Sequence, residues 1–410
     1  MIKTNPCIKK RVNIKGIYIS IWLLVFLQTI EESGLAHIID YNYTNPLVNI
    51  SRFFLLITCL AHNKFKICGN SKKIIDYIIF SIIVIIDLLY GSMTFFDVFI
   101  VVIFIDDLEY YRIISTFWSA VSTAFILIVT FSLFGLIPEY QFYRNEGTAR
   151  ITLGFQHPNL LAINVLALTI LYILIRKRNK GGYKYAILET QLDWWDITVC
   201  ILSAIFCYTV PNSITETIIL SMLAMIISLL KLRKLIATKP ITQNNLFKFC
   251  SIMMIPLLTI GVRYLVVNSR FDLLPDMGAT FNNRLLYATY AYDAFGIHLF
   301  PVPQEEYNLF KVLNLIGNDI DCLYIKMLIR YGILLTLYFL YMCIRMLTKY
   351  LKKGNTIMSI IIVILLVFSL MENRILSNSK FSFLFICALS VQINMRHWEP
   401  QKYQMHNLEK

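Results

Sequence analysis

Charge is what this 410-residue chain has least of: Asp, Glu, Lys and Arg make up 15% of it, against about a quarter in an ordinary soluble protein. Its nine cysteines include no C-x-x-C pair. They are scattered, most of them inside apolar runs (Cys59, Cys200, Cys207, Cys343, Cys387), so they read as small apolar packers, and neither a disulfide framework nor a metal site is expected. No G-x-x-x-x-G-K-[ST] signature occurs, which argues against a nucleotide-driven pump. The apolar run 16–30 follows Lys3, Lys9, Lys10, Arg11 and Lys15 but lacks an A-x-A-like cleavage site, so it reads as a retained first span. No internal repeat is evident, and a transporter built from two similar halves should show one.

What is present is apolar. Hydrophobic residues make up 57% of the chain and the mean hydropathy is +0.63. A membrane-crossing helix needs roughly 20 apolar residues, and on that ruler the chain divides into twelve spans. These cover about 16–30, 46–62, 74–90, 94–105, 113–137, 158–175, 196–210, 213–230, 247–265, 319–343, 356–372 and 379–395. With the N-terminus inside, 27 of the 38 Lys and Arg fall in cytoplasmic pieces, 7 in outer pieces, and Arg52, Arg263, Lys326 and Arg330 within spans. That bias agrees with the positive-inside rule and places both termini in the cytoplasm. The expected fold is an all-α integral membrane protein, residues 1–410 forming a single polytopic domain. The net charge of +13 then reflects topology and attraction to anionic headgroups of membrane lipids, and nucleic acid is not an expected partner.

Two outer loops are long, 138–157 and 266–318, and long loops in a compact fold usually carry function. Between them they hold Arg144, Arg150, His157, Arg270, Arg284, Asp293 and His298. In "GTARITLGFQHPNLLAINVLALTI" (147–170) an Arg, a His, a Pro and an Asn stand where an apolar run opens. Arg forks bind phosphate oxygens two at a time, and a helix N-terminus adds free N–H donors, so the cluster suits an anionic lipid headgroup at membrane depth. Pro158 fits the first turn of that helix.

The segment from Arg150 to Asn159 resembles the R-x-x-x-G-F-x-H-P-N element of bacterial Wzy-type polymerases, which join lipid-linked oligosaccharide repeat units into O-antigen, capsular or exopolysaccharide chains. "FNNRLLYATYAYDAFGIHLFP", with Arg284, is similar to that family's large-loop pattern of an Arg, about a helix of spacing, and a G-x-x-L-F-G element, with Pro301 in place of the last Gly. Asp321, Tyr324 and Gly332 resemble a D-x-x-Y…G segment, and Glu372 with Asn378 a late E-x-x-x-x-N stretch. These matches run from about 147 to 385. Around "PNSITETIIL" (211–220) relatives often carry Ser-Arg-Thr or Ser-Arg-Gly, whereas here Ile214 follows Ser213.

The resemblance implies a GT-C-like polymerase or ligase architecture in the bacterial inner membrane. It also implies a metal-independent glycosyl transfer with no cofactor, in which the polyprenyl diphosphate is the leaving group. Arg150 and Arg284 would bind the diphosphate, and His157 would be the base, with Glu372 as runner-up. Asp321, Tyr324 and Asn159 would orient substrate. The implied partners are polyprenyl-diphosphate-linked oligosaccharides, with a chain-length regulator and a flippase as further candidates. The same residues have plainer readings: snorkelling for the arginines, a structural hydrogen bond for His157, capping for Asn159, and pairing to Arg374 or a neighbouring helix for Glu372. His298 and Asp293 are expected to be loop structure. Asp87, Asp97 and Glu216 are expected to pair inside the bundle, with Arg52 or Arg263 among the partners. Two other functions are open, a ligase that transfers a finished glycan and a flippase for the same lipid-linked sugar.

Overall fold

In a bilayer no water is available to backbone N–H and C=O groups, so an apolar run must close its hydrogen bonds within itself as a helix. The computed structural model follows that rule. It describes residues 6–39, 41–63, 110–140, 142–143, 147, 149–176, 192–236, 244–268, 279–302, 320–352 and 356–372, with a few positions between 78 and 89. The chain runs through α1 (Pro6–Glu31), α2 (Leu35–Ile38), α3 (Tyr41–Asn63) and α4 (Tyr110–Leu133), then a two-stranded antiparallel ribbon of β1 (Phe142–Tyr143) and β2 (Ala149–Arg150). It continues through α5 (Pro158–Arg176), α6 (Trp194–Thr209), α7 (Ile214–Ile236), α8 (Asn245–Val267) and α9 (Ala279–Phe295). Last come α10 (Leu323–Lys326), a π-helical turn (Met327–Tyr331), α11 (Gly332–Lys352) and α12 (Thr356–Phe368).

Among the described residues five stretches are long and apolar enough to cross a membrane: Arg112–Leu133, Pro158–Arg176, Ile214–Arg233, Asn245–Val267 and Leu323–Lys352. Pro46–Ala61, Trp194–Thr209 and Thr356–Phe368 are shorter apolar helices. This is the make-up of a multi-pass, mainly helical membrane protein. The expected spans 94–105 and 379–395, most of 74–90, and residue Asn378 lie outside the described residues.

Packing separates the helices. In α5, 72% of the apolar window is buried, against 28% in α8, so α5 is a central helix and α8 a peripheral one. The first three long helices pack as α1 on α3 and α4; α4 lies on α5, α5 on α6, and α6 against α7. A second body joins α8 to α9, α10 and α11, with α12 reaching back to α7. Helix starts are chemically marked. Asp193 and Asp196 form a reciprocal capping box at α6, and the Asn244 side chain accepts from the N–H groups of Leu246 and Phe247 at α8.

Two departures from the sequence expectation bear on the site. Residues 279–295, expected in a loop, form α9. The span expected over 319–343 is interrupted: after the π turn, Gly332, the first residue of α11, adopts φ +78°. Interrupted helices at membrane depth are tolerated where other protein groups satisfy the freed backbone. Here Val302 N donates to Arg330 O at 2.9 Å, and the N–H groups of Ile333 and Leu334 donate to the carbonyls of His298 and Leu299 at 2.9 and 3.3 Å. The segment after α9 is therefore a patch across the break. A Cβ at Gly332 would come within 2.6 Å of the Phe300 carbonyl carbon, which leaves room only for glycine.

Candidate functional site

The loop between β2 and α5 is held from below by apolar burial and from the sides by backbone bonds. Phe155 is fully buried among Ile30, Ala124, Ile128, Ile137 and Leu161, plugging the loop onto α1, α4 and α5. Gly154 O accepts from Gly34 N at 2.8 Å, and Gln156 N donates to Glu32 O at 3.1 Å. The Gln156 side-chain amide donates to Glu31 O and Ser33 O, fastening the end of α1 to the start of α5. Gly154 has φ +83°. A methyl group there would lie 2.9 Å from Ser132 Cβ and 3.1 Å from Ile128 O.

On this base stand three of the expected site residues. Arg150 donates from Nε to Pro211 O at 2.9 Å and from Nη2 to Asn159 Oδ1 at 2.5 Å. It thus clamps the turn between α6 and α7 to the first turn of α5, and Ile151 N adds a 3.1 Å bond to Val210 O. The Arg150 fork is used first to build the site. Asn159 is the shared acceptor, which is a larger part than capping its own helix.

His157 Nδ1 accepts the Asn159 backbone N–H at 3.1 Å, so the imidazole serves as the side-chain cap of α5, with Pro158 in the first turn, where its missing N–H costs nothing. The Phe142 ring meets the imidazole edge-on, with centroids 4.9 Å apart. An Nδ1 that accepts leaves Nε2 to carry the ring proton, so the ring as placed donates at Nε2. Taking up a second proton would require Nδ1 to release the helix N–H.

The turn that Arg150 clamps brings in two residues the sequence reading did not assign to the site. Ser213, 3% exposed, donates from Oγ to Glu216 Oε2, and Glu216 is fully buried. The same Ser213 oxygen lies 3.5 Å from Asn159 Oδ1. Arg150, Asn159, Ser213 and Glu216 therefore form one run of polar contacts from loop to helix. The sequence signal for this was Ser213-x-x-Glu216, the S-x-x-E spacing of a capping box. Of the partners expected for Glu216, Arg263 is exposed and Arg52 donates to Asn49 Oδ1 at 2.7 Å. Deeper in α5, the buried Asn164 amide lies 3.5 Å from Glu32 Oε2 and bonds Leu160 O at 2.8 Å.

The remaining expected residues gather in the second body. Tyr324 is 1% exposed and its hydroxyl donates to Leu366 O at 2.8 Å, while Leu323 N donates to Ser369 O. These bonds bring the start of α10 beside the end of α12. In this placement Tyr324 is a buried packing residue whose hydroxyl bonds the backbone. Asp321, two residues before α10, is partly exposed, and Glu372, at the end of the α12 segment, is 3% exposed. Arg284 lies on the first half of α9; its side chain is outside the described residues. His298 and Asp293 are exposed, and a His298 ring nitrogen contacts Phe295 O, which makes it part of its own turn. No group of three or more His, Cys, Asp or Glu placed to hold a metal ion occurs among the described residues.

The chain matches no model of a known protein family, no curated protein and no solved structure.

Proposed function

We propose that this chain is a membrane glycosyltransferase that joins polyprenyl-diphosphate-linked oligosaccharide repeat units into a surface polysaccharide on the outer face of a bacterial cell membrane. The observation that supports this reading is the convergence of Arg150, His157 and Asn159 with the Pro211–Glu216 turn at one end of span-length helices. A guanidinium and an imidazole N–H beside a helix N-terminus form a set of donors for a diphosphate. The diphosphate is already an activated leaving group, so positioning and electrostatic stabilisation suffice for transfer, and no metal is needed in this scheme. Arg150, with Arg284 from α9, takes the diphosphate. His157 contributes its Nε2–H to the departing phosphate oxygens. Glu372 removes the acceptor hydroxyl's proton, a role suited to a carboxylate kept from water at the end of a span. Asp321 orients the acceptor sugar.

Polymerisation of lipid-linked repeat units by the purified protein tests this, together with the glycan made by a deletion strain. Single capped repeats in that strain would agree with the proposal; unattached long polymer would make the protein a ligase, and lipid-linked repeats stranded in the cytoplasmic leaflet would make it a flippase. Arg284→Lys keeps the charge but not the planar fork and should lose most polymerisation. Normal polymer length at normal abundance would remove Arg284 from the site.

A further inference from the structure

Between α6 and α7 runs an open groove of about 460 Å³, lined mostly by apolar atoms. Its walls come from Ile197, Ile201, Ile205 and Tyr208 on α6 and from residues including Met225 and Ser228 on α7. Ile197 and Tyr208 are eleven steps apart along α6, about 16 Å at 1.5 Å per residue. That is close to half of the roughly 30 Å hydrocarbon core, the depth of one leaflet. The groove is therefore long enough for one extended acyl chain.

One end of it is built differently from the other. Three residues before Ile197 is Trp194, and three after Ser228 is Lys231, so both continue the groove-lining faces by one helical turn. Lys231 Nζ sits 4.0 Å above the Trp194 ring centroid, and it makes no other interaction among the described residues. Trp194 is 63% exposed and Trp195 50%, and the Trp195 indole N–H donates to Tyr172 Oη. Exposed indoles at a helix end are the anchors of a membrane interface. The nearby carboxylates are occupied: Asp193 and Asp196 receive Arg176 at 2.8 and 3.2 Å and cap α6. The flanking segments 176–195 and 231–248 each contain five Lys or Arg and together only two acidic residues, Glu189 and Asp193.

We propose that this groove binds one anionic glycerophospholipid, with an acyl chain between α6 and α7 and its phosphate on the Lys231 ammonium at the Trp194 end. An ammonium over an indole face keeps its N–H donors available to phosphate oxygens, and its charge selects an anionic over a zwitterionic headgroup.

The test is lipid retention by the full-length protein in detergent, read by native mass spectrometry with phosphatidylglycerol and phosphatidylcholine in equal amounts. The expected result is preferential retention of phosphatidylglycerol. Lys231→Gln should reduce that preference about fivefold, the loss of one lysine–headgroup attraction, without lowering the melting temperature of lipid-free protein. Met225→Trp, placed on an exposed position of the groove wall, should exclude both lipids. Equal retention of the two lipids, or full preference in Lys231→Gln, overturns the proposal. So does loss of the lipid in Arg150→Gln when Lys231→Gln keeps it, because the headgroup would then sit at the other end. No glycan synthesis enters the readout, so the result stands apart from the proposed enzyme activity.

Discussion

The loop 150–159 and the segment 296–302 lie at the ends of helices, and each has a positive-φ glycine at a close approach, Gly154 inside the first and Gly332 packed against the second. They use it in opposite ways. The first loop brings an apolar plug, Phe155, into the core, and its polar side chains, Arg150, His157 and Asn159, are tied to backbone or to one another. The second offers mostly its own backbone, lending carbonyls of His298 and Leu299 and the N–H of Val302 to an interrupted helix, while the His298 side chain is exposed. One loop holds chemistry in place, and the other repairs a span. A buried ring can set the position of nearby side chains to within a fraction of an ångström, because cores are close-packed. A ladder of main-chain bonds orders backbone but leaves side chains to solvent.

If that contrast is right, the largest single effect should come from Gly332→Ala. Its Cβ would meet the Phe300 backbone, which cannot rotate away, and φ +78° adds strain; a loss of about 3 kcal/mol in unfolding stability is expected. A shift in the detergent melting temperature would measure it, and a melting temperature like the parent's would mean the patch is dispensable. Gly154→Ala should cost less, about 2 kcal/mol, since its nearest contacts, Ser132 Cβ at 2.9 Å and Ile128 O at 3.1 Å, are less close than those at Gly332. It should nevertheless reduce polymerisation more than Gly332→Ala does per folded molecule, because it moves the plug on which Arg150 and His157 stand. Equal activity losses would erase the distinction between the two segments.

Asn159→Leu sharpens the point inside the first loop. It removes the acceptor of Arg150 Nη2 and leaves a partly buried guanidinium nitrogen without that bond, for about 1–3 kcal/mol. Donor binding, measured by titration of lipid-linked repeats, should weaken together with stability. Asn159→Asp, which keeps the acceptor, should restore both.

The smallest effect expected is that of His157→Gln. A glutamine can accept the Asn159 N–H and still offer an N–H to an anion, so activity should stay within about threefold. A fall of a hundredfold or more, the size of general-base loss, would show that the imidazole does take a proton and would displace Glu372 from that role.

The apolar spans that the structure describes were legible because bilayer compatibility is a property of each local stretch and needs no partner. Arg150, His157 and Asn159 were legible as a cluster because nine residues separate the first from the last. Ser213 and Glu216 were not, since their place beside Asn159 depends on how the α6–α7 turn meets α5, 54 residues away from Asn159 to Ser213. Their S-x-x-E spacing announced a helix start and said nothing about a neighbour. The substrate role expected of Tyr324 came from its match to a D-x-x-Y…G segment, and the bond of its hydroxyl to Leu366 O comes only from the packing of α10 beside α12.

Hydropathy and short-range spacing thus determined by themselves the helical membrane character of this chain and the polar opening of α5. Which polar groups share a site, where the span 319–343 breaks, and which hydroxyl is spent on the backbone were decided by tertiary structure. The physical reason is that a transmembrane helix satisfies its own backbone, so its existence is local information. Its side chains acquire partners only when another helix arrives beside them, and the sequence of either helix alone does not record which one that will be.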